Sequence, residues 1–298
     1  MPPDELRQCV EIAREVFSET FDEVVDGVQS NLIASKRRIL ALDTLFAGRV
    51  GTSVDGRGHQ RTINGSAESY RTAAANARET LKSRRRRSLG SVFVVDRAGL
   101  QNVQHELAEA SSGNYPLVLR PVFQGGRSVD PASVSDLIST YLSAFDTWAM
   151  NLTIPVSPFM YLLSGRLGSA VHGSVCPFQR NCSEVSLNLE PDGTLYTCYD
   201  MADSGQFPLG NAIHEQFDWD TWQMLRDRKT AVDVKCTTCP YFQTCQGGCM
   251  SEAIHHTGRP YGRSDLCALW TALFQRIDEL IAARGKTEVL SWFRTIER

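Results

Sequence analysis

The chain has 298 residues, of which 42% are hydrophobic and 22% charged, and its formal net charge is −3. That composition supports a buried core in one or two domains, and no apolar run approaches the roughly 20 residues of a membrane-spanning helix, nor is any solenoid repeat visible. The acidic balance argues against nucleic acid as the main partner, and the N-terminal MPPDELRQCV lacks the basic stretch and apolar core of an export signal, so a cytoplasmic protein without a membrane partner is expected.

Residues 3–17 read as an amphipathic helix, with Leu6, Cys9, Ala13, Val16 and Phe17 on one face and Pro3 where a first helical turn accepts proline. Cys9 falls on the apolar face and reads as a core thiol, not a ligand. The chain then alternates. Strand-like pieces at 24–31, 50–54, 92–95 and 117–122 are separated by helical stretches at 35–46, 66–82 and 101–111, and a further helix over 131–148 follows with Asp130 as its cap. Alternating strands and helices imply parallel strands with helices outside, an α/β fold. Lys82-Ser83-Arg84-Arg85-Arg86-Arg87 closes one of these helices, where positive charge meets the negative end of the macrodipole. A solvated helix terminus is the plain reading, and a dock for an acidic peptide or nucleic acid the other.

Eight of the nine cysteines lie between Cys176 and Cys267. A soluble chain seldom collects oxidisable thiols so densely unless they pair or hold a metal. Disulfides need an oxidising compartment, which the N-terminus does not signal. Zinc prefers paired two-cysteine knuckles, yet Cys236-x2-Cys239 stands alone and Cys245-x3-Cys249 is too tight to be a second. Iron–sulfur clusters take one thiolate at each of four irons, and eight cysteines suit two such clusters with none left over. The spacing favours this third reading.

The residues between the cysteines fit a small α+β domain. Residues 183–189, the turn Pro191-Asp192-Gly193 and residues 194–198 read as strand, turn and strand, which would bring Cys182 and Cys198 to the open ends of one hairpin. Gln246-Gly247-Gly248, between two candidate ligands, offers a backbone free to bend and to aim amide hydrogens at sulfur. Trp219, Trp222, Met224 and Leu225 read as the core stripe of a short helix.

The cysteine pattern also resembles a family. Cys182, ten residues, Gly193, four residues, Cys198, a gap, Cys236-x2-Cys239-x5-Cys245-x3-Cys249, a gap and Cys267 is similar to the seven-cysteine signature of the SPASM domain, the C-terminal extension of radical SAM peptide maturases. Cys176 resembles the extra ligand of the sulfatase-maturase type. The resemblance implies two 4Fe–4S clusters with interleaved ligands: Cys176, Cys182, Cys198 and Cys249 on the first, and Cys236, Cys239, Cys245 and Cys267 on the second. It also implies a Gly-Asn turn and short helix between the two halves, matched by residues 208–211 and the tryptophan stripe.

In the first half the resemblance is carried by shorter motifs. Gln29-Ser30-Asn31 resembles the Gln-Thr-Asn that ends the third barrel strand of these enzymes, and Thr52-Ser53-Val54-Asp55-Gly56 their Ser-x-Asp-Gly at the end of the fourth. Loops after parallel strands are where such barrels put chemistry. By resemblance, Ser53 and Asp55 match positions beside bound S-adenosylmethionine, with His59 and Arg61 following at compressed spacing. What departs is the Cys-x3-Cys-x2-Cys that leaves one iron open to S-adenosylmethionine: Cys9 is alone, and the next cysteine is Cys176. The family's Gly-Gly-Glu-Pro is absent too. Residues 1–165 are therefore expected to be a partial radical SAM-type (β/α) barrel without its first two strands, and 166–298 a SPASM domain with C-terminal helices. S-adenosylmethionine would then bind only if another segment or polypeptide supplies the missing strands.

The implied function is that of an iron–sulfur protein in peptide or protein maturation, with a peptide or protein substrate and an electron donor as partners. The alternative is a non-catalytic iron–sulfur subunit that binds a peptide or relays electrons to a separate radical SAM partner. In the sulfatase-maturase type an aspartate directly after the hairpin cysteine is the base; here Tyr199 holds that place and Asp200 follows one residue later. A one-residue shift on a strand turns a side chain to the other face. Asp200 is thus a weak counterpart, and another peptide modification, such as a carbon–carbon or thioether crosslink, is favoured over cysteine or serine oxidation.

Overall fold

The computed structural model describes residues 3–52, 61–82, 84, 89–122, 130–151, 153–169 and 176–297. The first half of the chain alternates as α1 (Pro3–Ser18), β1 (Val28–Gln29), α2 (Lys36–Leu45), β2 (Val50–Gly51), α3 (Ala67–Lys82), β3 (Ser91–Val95), α4 (Val103–Ser112), β4 (Leu117–Pro121), α5 (Val134–Asn151), β5 (Val156–Ser157) and α6 (Phe159–Leu167). The second half is made of short pieces: α7 (Cys182–Val185), β6 (Asn188–Leu189), β7 (Thr194–Tyr196), α8 (Tyr199–Ser204), β8 (Gly210–Asn211), β9 (Gln216–Phe217), α9 (Trp219–Arg226), α10 (Arg228–Ala231), α11 (Val234–Thr237), α12 (Phe242–Cys245) and α13 (Met250–Thr257). Two longer helices, α14 (Cys267–Arg284) and α15 (Lys286–Glu297), close the chain. Contacts divide it into two compact units, one of residues 1–94, 104–120 and 154–156, the other of 95–103, 121–153 and 157–298.

In the first unit β1 and β2 run parallel, with Val28 opposite Val50 and Gln29 opposite Gly51. Leu32, Ile39, Phe46, Val50, Ala77, Leu81 and Leu89 form the core beneath them, joined by half-buried Leu6 and Val10 of α1. A second sheet has the order β3-β4-β5, with Ser91 donating to the Pro116 carbonyl at 2.9 Å and Leu117 to that of Pro155 at 3.0 Å. The expected alternation is present, but among the described residues the strands form a two-stranded and a three-stranded sheet, not one continuous partial barrel. β1 stops early because the Ser30 hydroxyl and the Asn31 side chain accept from the amides of Leu32 and Ile33, turning the chain out of the extended form.

Three expectations are corrected here. Cys9 is exposed, not a core thiol, because the face of α1 that packs is that of Leu6 and Val10, while Val16 and Phe17 also lie open. Arg84, in the basic run, is not simply solvated: it forms a 3.0 Å ion pair with the buried Asp43. Asp130 does not cap α5. The Ser133 hydroxyl takes the cap, accepting from the Asp136 amide at 3.1 Å, and Asp130 pairs with Arg97 at 2.7 Å.

The second unit has an aromatic core. Leu137, Tyr141, Phe145 and Trp148 of α5 are fully buried, and Phe159 meets Phe145 edge-on with ring centroids 5.5 Å apart. Each such side chain is worth about 1.5–3 kcal/mol of transfer free energy. α14 contributes Leu269, Trp270, Leu273, Phe274 and Ile277, and Arg166 of α6 clasps its Asp278 with bonds of 2.7 and 3.0 Å. α6 approaches α12 closely at Gly165, where an added Cβ would clash with the Thr244 side chain, and the Tyr161 hydroxyl donates to the Thr244 carbonyl at 3.1 Å.

Candidate metal centre

The small sheet β6-β7-β8-β9 is antiparallel, with Leu189 opposite Leu195 and Leu195 opposite Gly210. Gly193 takes φ +85° in the tight turn, and the Asp192 carboxylate accepts from the Thr194 amide at 2.9 Å. Asn211 pins this end: its amide donates to the Asp192 carbonyl, and its oxygen accepts from the amides of Ile213 and His214. The hairpin is shorter than its sequence suggests. Cys182 opens one turn of helix, with Ser186 donating to the Cys182 carbonyl at 2.9 Å, so the first strand begins only at Asn188.

Cys182 and Cys198 nevertheless approach, both packing on the core of Met201, Leu209, Leu225 and Met250. α9 anchors the first of them: Trp222 donates to the Ser183 carbonyl at 2.9 Å, and Arg226 and Lys229 both reach Glu184 at 3.0 Å. Those two cations hold the Glu184 carboxyl below the usual carboxylate range. Cys176, on a turn of 3-10 helix, is tied by Phe178, which stacks on Tyr161 at 5.0 Å and meets Trp270 edge-on at 5.2 Å.

Cys249 stands at the N-cap of α13 and Cys267 opens α14, so both stand at helix ends whose first amides have no intrahelical acceptor. Between Cys245 and Cys249, Gln246, Gly247 and Gly248 all take positive φ (54°, 89° and 75°), reversing the chain between two neighbouring cysteines. The Gly247 amide lies against the Cys245 sulfur and lowers its pKa, opposing burial.

The thiols gather in two sets. Cys236, Cys239, Cys245 and Cys267 line one cavity of about 140 Å³, together with Gly247, Gly248, Arg263 and Trp270. Cys249, four residues beyond Cys245, instead senses Cys176 and Cys198, while Cys182 senses Cys176 and Cys198 senses Cys182. Burial pushes the Cys198 and Cys236 thiols up to about 11, Cys245 to about 12 and Cys249 well above its ordinary value. Such converging thiols are costly to ionise unless a cation takes the charge. Among the described residues no three His, Cys, Asp or Glu groups are arranged to hold a single metal ion.

The sequence reading missed two residues here. Arg228, at the start of α10, is fully buried; its guanidinium donates to the carbonyls of Pro260, Gly262, Gly247 and Gly248, while Nε has no acceptor. Burial lowers its pKa, and Cys182, Cys249, Cys236 and Cys245, drawn from both thiol sets, oppose that. Trp270, 2% exposed on the cavity wall, likewise has an indole N–H without an acceptor. Four thiols round one cavity, with orphaned donors beside them, fit a group rich in sulfur acceptors.

Of the remaining sequence candidates, Asp200 lies in the first turn of α8, not on a strand, so a one-residue shift rotates it about the helix and does not flip it across a sheet. Tyr199 is 64% exposed, and it is the half-buried Asp200 that acts electrostatically on Cys198. Ser53, Asp55 and His59 lie outside the described residues; Arg61 is half-buried. Trp219, expected in the core stripe of α9, is 65% exposed and packs on Phe217, while Leu225 of that stripe is fully buried. Among the described residues no helix is long and apolar enough to cross a membrane.

No protein-family model matches the chain, and no curated protein does. Solved structures do. Hexahistidine-tagged anSMEcpe with bound AdoMet superposes with a TM-score of 0.71 at 16% identity, covering 98% of this chain and 80% of that one. Native anSMEcpe with AdoMet and the Cp18Cys peptide gives 0.68 at 16% identity over 94% and 81%. SuiB of Streptococcus suis gives 0.51 at 12% identity, covering 82% of this chain and 60% of that one. At such identities the likeness establishes architecture alone: the chain has an α/β fold like that of anSMEcpe and SuiB.

Proposed function

We propose that this chain is an iron–sulfur protein of peptide or protein maturation. It holds two 4Fe–4S clusters, one on Cys176, Cys182, Cys198 and Cys249, the other on Cys236, Cys239, Cys245 and Cys267. The observation that carries this reading is the convergence of the latter four thiols on one cavity while Cys249 turns to the other set. When bound, the clusters would supply one-electron transfer. The chain's own residues position and insulate them: Phe178 and Trp222 fix the elements bearing Cys176 and Cys182, and the backbone amides of Gly247 and Glu252 act on the Cys245 and Cys249 sulfurs. A peptide or protein substrate is the reading supported by the fold shared with anSMEcpe, which was solved with peptides bound.

The 298 residues contain no Cys-x3-Cys-x2-Cys, so radical formation from S-adenosylmethionine is assigned to this chain only together with a polypeptide segment that carries it. The test is anaerobic reconstitution with iron and sulfide. About eight irons per chain are expected at four per cluster, unchanged in Cys9→Ala, since Cys9 is exposed on α1. About four irons, or zinc in place of iron, overturns the assignment.

A further inference from the structure

Arg228 is an unusual residue to bury. Its side chain is 0% exposed, and among the described residues no carboxylate forms an ion pair with it. An unpaired buried cation costs several kcal/mol, and bonds to four neutral carbonyls recover part of this while leaving the charge uncompensated. Its place is specific. One nitrogen bridges the carbonyls of Gly247 and Gly248 at 3.0 and 3.1 Å, the turn that carries the chain from Cys245 in one thiol set to Cys249 in the other. The second nitrogen ties down the carbonyls of Pro260 and Gly262, in the segment leading to Cys267. The third, Nε, is a buried donor without an acceptor. Cysteines of both sets lie within its electrostatic reach.

We infer that Arg228 is the counter-charge shared by both thiol sets, and that it raises the reduction potentials of both clusters at once. This rests on the iron–sulfur reading above. Four thiolates make each loaded centre anionic, and reduction adds one further negative charge. A fixed cation in a dry interior favours the more negative state, and its N–H groups do the same through sulfur. Held on the turn that joins the sets, one guanidinium shifts both potentials in the same direction. Trp270 lines the Cys236, Cys239, Cys245 and Cys267 cavity, so its orphaned N–H is assigned to that centre.

The experiment is a potentiometric titration of reconstituted full-length protein, read by paramagnetic resonance, with iron and sulfide measured in the same samples. Arg228→Gln with full iron content should lower both one-electron reduction constants at least tenfold, about 59 mV each, while Trp270→Phe should move only one. Wild-type potentials in an iron-replete Arg228→Gln protein, or a shift of one signal alone, overturn the inference and leave the cluster assignment standing. Failure of the wild type to take up iron overturns that assignment instead. Should Arg228→Gln not fold, an Arg263→Lys chain labelled with 15N-arginine decides, since it lacks the arginine that lines the cavity. Pulsed resonance should find weak nitrogen coupling at both reduced signals, and coupling at neither or at one alone overturns the sharing.

Discussion

Replacing Cys249 with alanine separates sequence neighbourhood from spatial neighbourhood. In sequence Cys249 belongs with Cys236, Cys239 and Cys245; in space the three left-handed residues before it turn it away, and its thiol senses Cys176 and Cys198. It is absent from the wall of the cavity that the other three share with Cys267. Loss of one ligand should therefore cost the centre of Cys176, Cys182 and Cys198, taking iron from about eight to about four per chain. The apo fold should survive, because trimming one buried sulfur to a methyl costs about 1 kcal/mol, a shift of a few degrees in melting temperature for a chain of this size. Iron and sulfide analysis after anaerobic reconstitution gives the count, and paramagnetic resonance of the reduced protein identifies which signal is gone. Cys249→Ala should match Cys182→Ala and differ from Cys239→Ala. If it instead removes the Cys239→Ala signal, the grouping of thiols derived from the turn at Gln246–Gly248 is wrong.

The isolated chain, anaerobic and reduced, should release no 5′-deoxyadenosine from S-adenosylmethionine above a buffer control, and a polypeptide carrying Cys-x3-Cys-x2-Cys should restore it; steady release by the chain alone, measured by chromatography, would mean that one centre has an open iron. Gly165→Ala places a Cβ against the Thr244 side chain and should destabilise by about 1–3 kcal/mol through overpacking, a loss that Thr244→Ala should largely reverse in thermal melts. Arg14 and Arg49 hold the Asp26 carboxyl below its usual range, first through their hydrogen bonds to it. A depressed carboxylate adds stability that is present above the unfolded value and lost as pH falls through the folded one, so the loss belongs below about pH 4. Asp26→Asn should flatten the acid limb of the melting-temperature profile, and an unchanged limb would show that the pair does not stabilise the fold.

What the sequence made legible was whatever depends on local spacing. The alternation of the first half could be read as α/β, and the thiol intervals marked the cysteines that the structure gathers into two sets. Features decided by competition between neighbours were less legible. Asp130 and Ser133 both suit a helix cap, and Ser133 takes it because Asp136 stands three residues on to complete the exchange of hydrogen bonds, while Arg97, distant in sequence, claims Asp130. Cys9 sits on a plausible apolar stripe, yet α1 rotates so that Leu6 and Val10 pack instead. No periodicity within one helix decides which of two adjoining stripes will find a partner.

Arg228 marks the limit of local reading most clearly. In sequence it stands within Arg226-Asp227-Arg228-Lys229, four consecutive charged residues of a kind that usually faces solvent. In the structure its flanking residues keep to that role, Asp227 accepting from the Gln223 side chain and Lys229 pairing with Glu184, while Arg228 alone turns inward. Its acceptors lie 19 to 34 residues ahead, and all are carbonyls of a turn or loop that carries no acceptor signal in its side chains. A neutral interior would expel such a cation or pair it with a carboxylate. On the iron–sulfur reading proposed above, its retention beside thiols from both sets is accounted for by negative charge that would arrive with the metal, so the potential of the loaded centres, and not the stability of the apo chain, is where its role should be read.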